Sequence, residues 1–447
     1  MNSLKDMCAK YFRDPVHGYI RVDDDLLRIV DHPLFQRLRR IKETGWGFYA
    51  YHGMTHSRFE HSLGAFHLME KVIENIDDNF RREYGYRLDE LTEQASLLKL
   101  KALLHDIGHL PFSHSFEMFR RSIKYAHLNH AVFSRAIIRY SELGELIRDI
   151  GFEPSELLAP HPLNSLLDSN IDVDKMDYLK RDALHAGVLY GAYDLKRLLL
   201  VLTLTPNLKL AVLKKGIEAV EHFIMARYYM YLQVYFHKVK CSCEAMFHEI
   251  LLELLDTNSL VIPPPDAIFK DKVSIEFLGD DVPFCFFDDV FIEWALRSIT
   301  RKASLGELRR RGADVDKLLH LASSLIGRRH YRLVFEADDR ELIKLFLERG
   351  LAAFDEVLDY RYQSLLQVSP LPLLYYIAEA AVYVPGESSI TVVESGEEKG
   401  LLEELSSIVG FFKGKMILKL MFFADPKILN KVREVIKRSL SRTLSSS

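Results

Sequence analysis

The sequence predicts a mainly α fold, with a helical core over residues 1–335 and a smaller C-terminal α+β lobe over 336–447. Three observations lead there. Apolar residues recur at helical spacing through most of the first 255 positions, the triplet Pro263-Pro264-Pro265 breaks that pattern, and strand-length apolar runs interleave with helices near the end.

Leu26, Leu27, Ile29, Val30, Leu34, Phe35, Leu38 and Ile41 give a mostly helical period over 26–45, closed by Gly45 and Gly47. Ser57 can cap the next helix, whose Phe59, Leu63, Phe66, Leu68 and Met69 face inward up to about Ile76. A longer helix starts near Leu91-Thr92 and runs through Leu103-Leu104 to His105, where Gly108 and Pro111 mark its end. Further helices are predicted at about 128–141, 142–150, 162–168, 172–185, 194–203 and 216–256, so the first 255 residues read as almost entirely helical. After the prolines, helices resume over Asp288–Arg301 and Ala313–Arg328. Tyr331–Glu336, Ala380–Pro385 and Ile390–Glu394 read as strands and Lys413–Phe423 as a further apolar run. An amphipathic helix is predicted over Pro426–Leu440, ahead of a serine-rich, frayed end at Ser439–Ser447.

A chain of 447 residues has room for two or three domains and a sizeable core. Hydrophobic residues at 48% and charged ones at 27% are ordinary for a soluble globular protein. A formal charge of -4 gives no global basic field, so nucleic-acid binding is not implied. Cys8, Cys241, Cys243 and Cys285 form no paired framework and are read as reduced thiols. Met1–Phe12 does not resemble a signal peptide, and no segment reaches the roughly 20 apolar residues of a spanning helix. A cytoplasmic protein without a membrane partner is expected. Histidine breaks the ordinariness: 16 of the 18 lie before residue 250, which places the chemistry in the N-terminal part.

Three fragments carry it: Arg58-Phe59-Glu60-His61, the pair His105-Asp106, and Asp172-Val173-Asp174-Lys175-Met176-Asp177-Tyr178. His61, His105, Asp106 and Asp174 offer two imidazoles and two carboxylates, an N₂O₂ set for a hard or borderline divalent ion. Such an ion polarises a phosphorus oxygen and acidifies bound water. Arg58, His109 and Lys175 would neutralise phosphate charge, and His114, three residues before Glu117, would form an acid/base dyad. Asp174, Tyr178 and Asp182 are spaced by four and share a helix stripe. Taken singly, a His-Asp pair is a helix cap, His61 a core histidine and Arg58 or Lys175 a surface partner. It is their joint occurrence, in compatible helical contexts, that favours a metal-dependent phosphohydrolase. His17, His52, His56, His67, His127 and His185 lack such support and are assigned structural roles.

At these residues the chain resembles the HD-domain metal phosphohydrolases, specifically their deoxynucleoside triphosphate triphosphohydrolase branch. The resemblance rests on Asp14-Pro15-Val16-His17-Gly18, Phe35-Gln36-Arg37-Leu38-Arg39 and Ser57-Arg58-Phe59-Glu60-His61-Ser62-Leu63-Gly64. It continues through Leu104-His105-Asp106-Ile107-Gly108-His109, Pro111-Phe112-Ser113-His114, and Asp172–Tyr178 with Arg181-Asp182, and spans residues 10 to 335. It implies His61, His105, Asp106 and Asp174 as ligands of a divalent ion (iron, manganese, magnesium, zinc or nickel) and His114, with Glu117 and His130, as the catalytic group. Arg58, His109, Lys175 and Tyr178 would contact the triphosphate, while Asp182, Arg227 and Tyr235 would complete the nucleotide pocket. The implied reaction cleaves a dNTP to a deoxynucleoside and inorganic triphosphate, in a homodimer or homotetramer. Alternatives within and outside the class are a nucleotidase or phosphodiesterase acting on other nucleotides, and a catalytically idle regulator.

Two departures carry expectations of their own. Glu43 and Thr44 replace a glutamine and a bulky aliphatic residue that pack on the deoxyribose, so weaker exclusion of ribonucleotides is expected. Lys10, Asp31 and Arg39 match residues that bind an activating guanine nucleotide in regulated relatives, whereas Tyr11 and Arg13 depart from that pattern. A simple Asp31–Arg39 ion pair on a helix is the competing reading.

Overall fold

The computed structural model describes residues 9–121, 123–338, 340, 343–344 and 373–434. It opens with an antiparallel hairpin of β1 (Lys10–Asp14) and β2 (Gly18–Val22), which the helical expectation missed. Five-residue strands are too short to show more than a trace of alternation, and only Ile20 and Val22 are fully buried. Gly18, at φ +82°, takes the left-handed turn that closes the hairpin.

The expected helix over 26–45 is broken into α1 (Asp24–Val30), α2 (Pro33–Gln36) and a 3₁₀ turn at Arg37–Arg40. Pro33 supplies no N–H to continue α1, and His32 caps the restart through Leu34 N. α3 (Arg58–Tyr84) is the central helix. Its Phe59, Leu63 and Phe66 join one buried cluster with Phe35, Trp46 and Phe112, while Ala65, Leu68, Met69 and Val72 join a second with Met176 and Phe223. α4 (Asp89–Leu104) packs along it and ends at His105. Then come α5 (His130–Tyr140), α6 (Glu142–Asp149), α7 (Pro154–Leu158) and α8 (Val173–Ala186), with a 3₁₀ turn rather than an α-helix at Pro162–Leu166.

The helix expected to reach residue 203 stops early: α9 covers Leu195–Leu199, and β3 (Leu202–Leu204) pairs with β4 (Leu210–Leu213). A leucine-rich run buried on every side has no helical face to preserve, and Thr205-Pro206-Asn207 turns the chain. The single helix expected over 216–256 is α10 (Ile217–Met230), a π-helical turn at Tyr231–Tyr235, and α11 (Lys238–Asp256), restarted by a His237 cap. The extra residue of a π turn commonly re-aims side chains at functional sites, and Tyr235 lies in it.

Beyond the prolines, β5 (Leu260–Val261), β6 (Ile275–Phe277) and β7 (Asp280–Val282) form a small sheet around α12 (Pro265–Phe269). α13 (Asp289–Thr300), α14 (Leu305–Arg310) and α15 (Val315–Ile326) follow. β8 (Arg332–Ala337) and β9 (Leu373–Ala381) flank β12 (Met416–Ala424) in a three-stranded sheet. β10 (Thr391–Glu394) and β11 (Glu397–Leu401) instead extend the sheet of β3 and β4, β10 pairing parallel to β4. The final predicted helix is seen over 429–434, and residues 435–447 lie outside the described ones. Among the described residues no helix is long and apolar enough to cross a membrane.

Candidate metal centre and its surroundings

The N-terminal turn of α3, the C-terminal end of α4 and the first turn of α8 meet, bringing His61, His105, Asp106 and Asp174 together. His61 Nε2 lies 3.2 Å from His105 Nε2, 3.0 Å from Asp174 Oδ1 and 3.5 Å from Asp106 Oδ2. His105 Nε2 lies 3.4 Å from Asp106 Oδ1 and 3.6 Å from Asp174 Oδ1. Around an ion with bonds near 2.1 Å, neighbouring donors stand about 3.0 to 3.4 Å apart, so His61, His105 and Asp174 fit a divalent cation as one triad, while Asp106 groups with His61 and Glu43 on its border. His61, Asp106 and Asp174 sit in a field that favours positive charge, which an ion bound to neutral His61 would supply in place of a proton. Burial opposes charge on all three, yet Glu43, Asp174 and Asp177 raise His61 well above its usual range. Against the same burial penalty, Arg58 and His105 hold Asp106 low, and His105 and His61 hold Asp174 low.

Both imidazoles present Nε2 because Nδ1 is engaged. His105 Nδ1 bonds Ala102 O at 2.8 Å, and His61 Nδ1 bonds Asp177 Oδ2 at 2.9 Å. Asp177 is itself held by Arg181 (Nε 2.8 Å, Nη2 2.9 Å) and by His17 Nε2 at 2.6 Å. Arg181 Nη1 reaches Asp14 Oδ2 at 2.9 Å, tying the β1–β2 turn into the same buried network. Such outer partners fix ring orientation and raise ligand basicity. From the sequence, Asp14, Asp177 and Arg181 were given no role and His17 only a structural one. Their signal was the Asp14-Pro15-Val16-His17-Gly18 motif and the four-residue spacing of Asp177 and Arg181.

Arg58 is buried, and its guanidinium is already shared: Asp106 Oδ2 at 2.5 Å, Glu43 Oε1 at 3.0 Å, Ser113 Oγ at 3.0 Å and the Glu43 carbonyl at 3.2 Å. Its charge therefore serves the carboxylates of the centre. His109 Nε2 lies 3.2 Å from Asp106 Oδ1, and burial, followed by Arg58 and His130, depresses its pKa well below normal. That direction favours the neutral imidazole at His109, with Nε2 facing Asp106.

Gly108 lets the turn after α4 lie on α5, since a Cβ there would meet Ser134 N at 2.2 Å. That closeness places His130 beside His109, the rings stacked at 4.2 Å. Phe112 and Ser113 both take positive φ (57° and 56°), a strained turn held by Asp289 Oδ1 on Phe112 N and by Ser113 Oγ on Lys42 O. The turn delivers His114, whose side chain is 58% exposed while Nδ1 sits 2.8 Å from Glu117 Oε2. Glu117 Oε1 takes the His130 backbone N–H at 2.9 Å and also faces His130 Nδ1.

Along α8, Lys175 Nζ pairs with Asp172 Oδ2 at 2.7 Å, and Tyr178 meets Tyr235 edge to face. Asp182 is bridged by Tyr235 Oη at 2.7 Å and His56 Nε2 at 2.6 Å. Arg227 is buried, donates to Val382 O at 3.0 Å and lies near Tyr231. Thr44 is buried beside Gly47. Lys10 and Arg39 lie apart from the ion donors: Lys10 sits over Phe12, and Arg39 stacks on Phe59 at 3.5 Å and bonds Gln36. Asp31 ends α1 as its C-cap.

Family models match this chain as an HD domain over residues 58–182 and as an HD associated region over 193–263. It is 39% identical over 283 residues to the uncharacterized protein YwfO of Bacillus subtilis, covering 60% of this chain and 62% of that one. It is 28% identical over 286 residues to the deoxynucleoside triphosphate triphosphohydrolase SAMHD1 of Homo sapiens, covering 55% of this chain and 45% of that one. The chain thus spans less than two thirds of either curated relative. Its fold matches a crystal structure of a phosphohydrolase from Bacteroides thetaiotaomicron with TM-score 0.68 at 26% identity, covering 93% of this chain and 99% of that one.

Proposed function

The chain carries the HD domain and HD-associated region of the metal-dependent phosphohydrolases, and from that premise we propose that it hydrolyses nucleoside triphosphates, deoxynucleotides included, to nucleoside and inorganic triphosphate. The observation carrying this reading is the layout of α8. Asp174 stands beside His61 where it would hold the ion, Lys175, paired with Asp172, and Tyr178 follow where a polyphosphate would lie, and Asp182 with Tyr235 stands further on where a sugar would sit. The named activity of the 28% identical SAMHD1 supports the same substrate class.

His61, His105, Asp106 and Asp174 would hold the ion, which supplies Lewis acidity at the phosphate and acidified water. Water would attack the α-phosphorus as its bond to the 5′-oxygen breaks. His114 donates the proton to that oxygen: Glu117 engages Nδ1 and the exposed edge leaves Nε2 for the leaving group. Arg58 and His109 fix Asp106, and Arg227 lends positive field near Tyr178 and Lys175. Activation by a guanine nucleotide at Lys10, Asp31 and Arg39, and assembly into dimers or tetramers, are parts of the same proposal.

The test is a screen of all dNTPs and NTPs with each candidate metal, with and without a second nucleotide, and light scattering for assembly. Equimolar nucleoside and inorganic triphosphate are expected. Release of orthophosphate would favour a nucleotidase, and oligonucleotide binding without turnover an idle regulator.

A further inference from the structure

A third carboxylate faces the centre and is only half used. Glu43 is 7% exposed, and a donor oxygen of it lies within 4.8 Å of donor atoms of His61 and Asp106. Its place is fixed by backbone contacts: its N–H donates to His56 O at 3.1 Å, and its carbonyl accepts from Arg58 Nη2 at 3.2 Å. Lys42 beside it is pinned by Asp289. Oε1 is taken by Arg58 at 3.0 Å, whereas Oε2 is buried without a donor. A buried carboxylate oxygen left unmatched is costly, and a site that keeps one has a further donor in view. Among the described residues none supplies that donor, and the Glu43 carboxyl group borders the donors His61 and Asp106.

We propose that Glu43 is the acceptor that orients the attacking water, its Oε2 receiving a hydrogen bond from that water beside the ion. Arg58 sets the geometry: one guanidinium locks Asp106 on the ion and Glu43 on the water, so donor and acceptor keep a fixed separation. His114, on the turn after Phe112, is the separate group assigned to the leaving oxygen. The inference rests on the hydrolytic reading above and assigns Glu43 to the nucleophile rather than to a sugar hydroxyl.

The test compares the full chain with Glu43→Gln, which keeps an oxygen for Arg58 but turns the other acceptor into a donor. Glu43→Asp keeps the charge yet withdraws the oxygen, and so separates position from folding. Both variants should bind Mn²⁺ at wild-type stoichiometry, change the water-proton relaxation enhancement of the bound Mn²⁺, and lose about 10²-fold or more in kcat at unchanged KM. The loss should be equal with a dNTP and with its 2′,3′-dideoxy analogue. A loss that disappears with the dideoxy analogue would assign Glu43 to the sugar and overturn the proposal. So would loss of Mn²⁺ from Glu43→Gln, which makes Glu43 a ligand, or relaxation and turnover equal to wild type. If the wild type cleaves no triphosphate, the hydrolytic reading fails, and the relaxation comparison still decides whether Glu43 holds water at the ion.

Discussion

Asp177 holds His61 from the side opposite the ion donors, its Oδ2 2.9 Å from His61 Nδ1 while His61 Nε2 faces Asp174. Asp177 is thereby the residue that decides which imidazole nitrogen is free for metal. Asp177→Asn keeps the shape and removes the charge. Metal affinity should fall by about 10- to 100-fold with folding retained. Competition titration with a chelating indicator measures this, and an unchanged affinity would show that His61 needs no such partner.

Gly64 stands one turn after His61, and a Cβ there would lie 1.9 Å from Asp177 Oδ1 and 2.5 Å from Arg181 Nη2. These atoms form a buried ion pair with no free direction to retreat. Gly64→Ala should therefore cost about 1–3 kcal/mol by overpacking and weaken metal binding together with stability. Thermal melts with and without Mn²⁺ check both, and a variant as stable as wild type would refute the close contact.

The side chains that converge at the candidate centre were legible because each sits in a local pattern: His61 one turn into α3, whose N-cap Ser57 makes no side-chain cap bond, His105-Asp106 at a helix end, Asp174 in the first turn of α8. What holds them was less so. The Asp177–Arg181–Asp14–His17 network joins residues up to 167 positions apart, and no single-segment periodicity encodes that pairing. His17, assigned only a structural role, bonds Asp177, which in turn holds His61. Helix content was overestimated where apolar runs are buried on all sides, as at β3 and β4, since full burial erases the period that separates helix from strand. Arg58 was expected to face phosphate, and only tertiary contact with Glu43 reveals how fully it is engaged.

Arg58 serves four acceptors, and an ammonium cannot reproduce that planar fork. Arg58→Ala leaves the Asp106 and Glu43 carboxylates buried without their cation, at about 3–5 kcal/mol, and Arg58→Lys should recover only part. Mn²⁺ should raise the melting temperature of Arg58→Ala more than that of wild type, because the ion restores positive charge beside Asp106. Equal metal-induced shifts would contradict this.

His330, almost fully buried before β8, has its pKa pulled down to about 4 by burial, then by Arg332 and Arg328. An unfolded histidine titrates near 6.5. Between these values the unfolded chain binds the extra proton, so stability falls as pH drops from about 6.5 toward 4 and levels off below. His330→Gln should flatten that limb in melts across pH 4 to 7. A limb unchanged by the substitution would assign it to other groups.

Holding the ion and using it fall to different histidines. His105 Nε2 faces Asp174 and Asp106, whereas His114 lies outside that donor set, with Nδ1 on Glu117 and its ring largely exposed. His105→Ala should lose metal and turnover together. His114→Ala should keep metal at full stoichiometry and lose about 10²–10⁴-fold in kcat, the usual worth of a positioned general acid. Removing Glu117 instead takes away the anchor of the His114 ring, so Glu117→Gln should fall between wild type and His114→Ala while its metal content stays intact. Elemental analysis beside steady-state kinetics reads both quantities on one preparation. If His114→Ala emptied the site of metal, His114 would belong to the ion's donors, and the leaving-group proton would need another source.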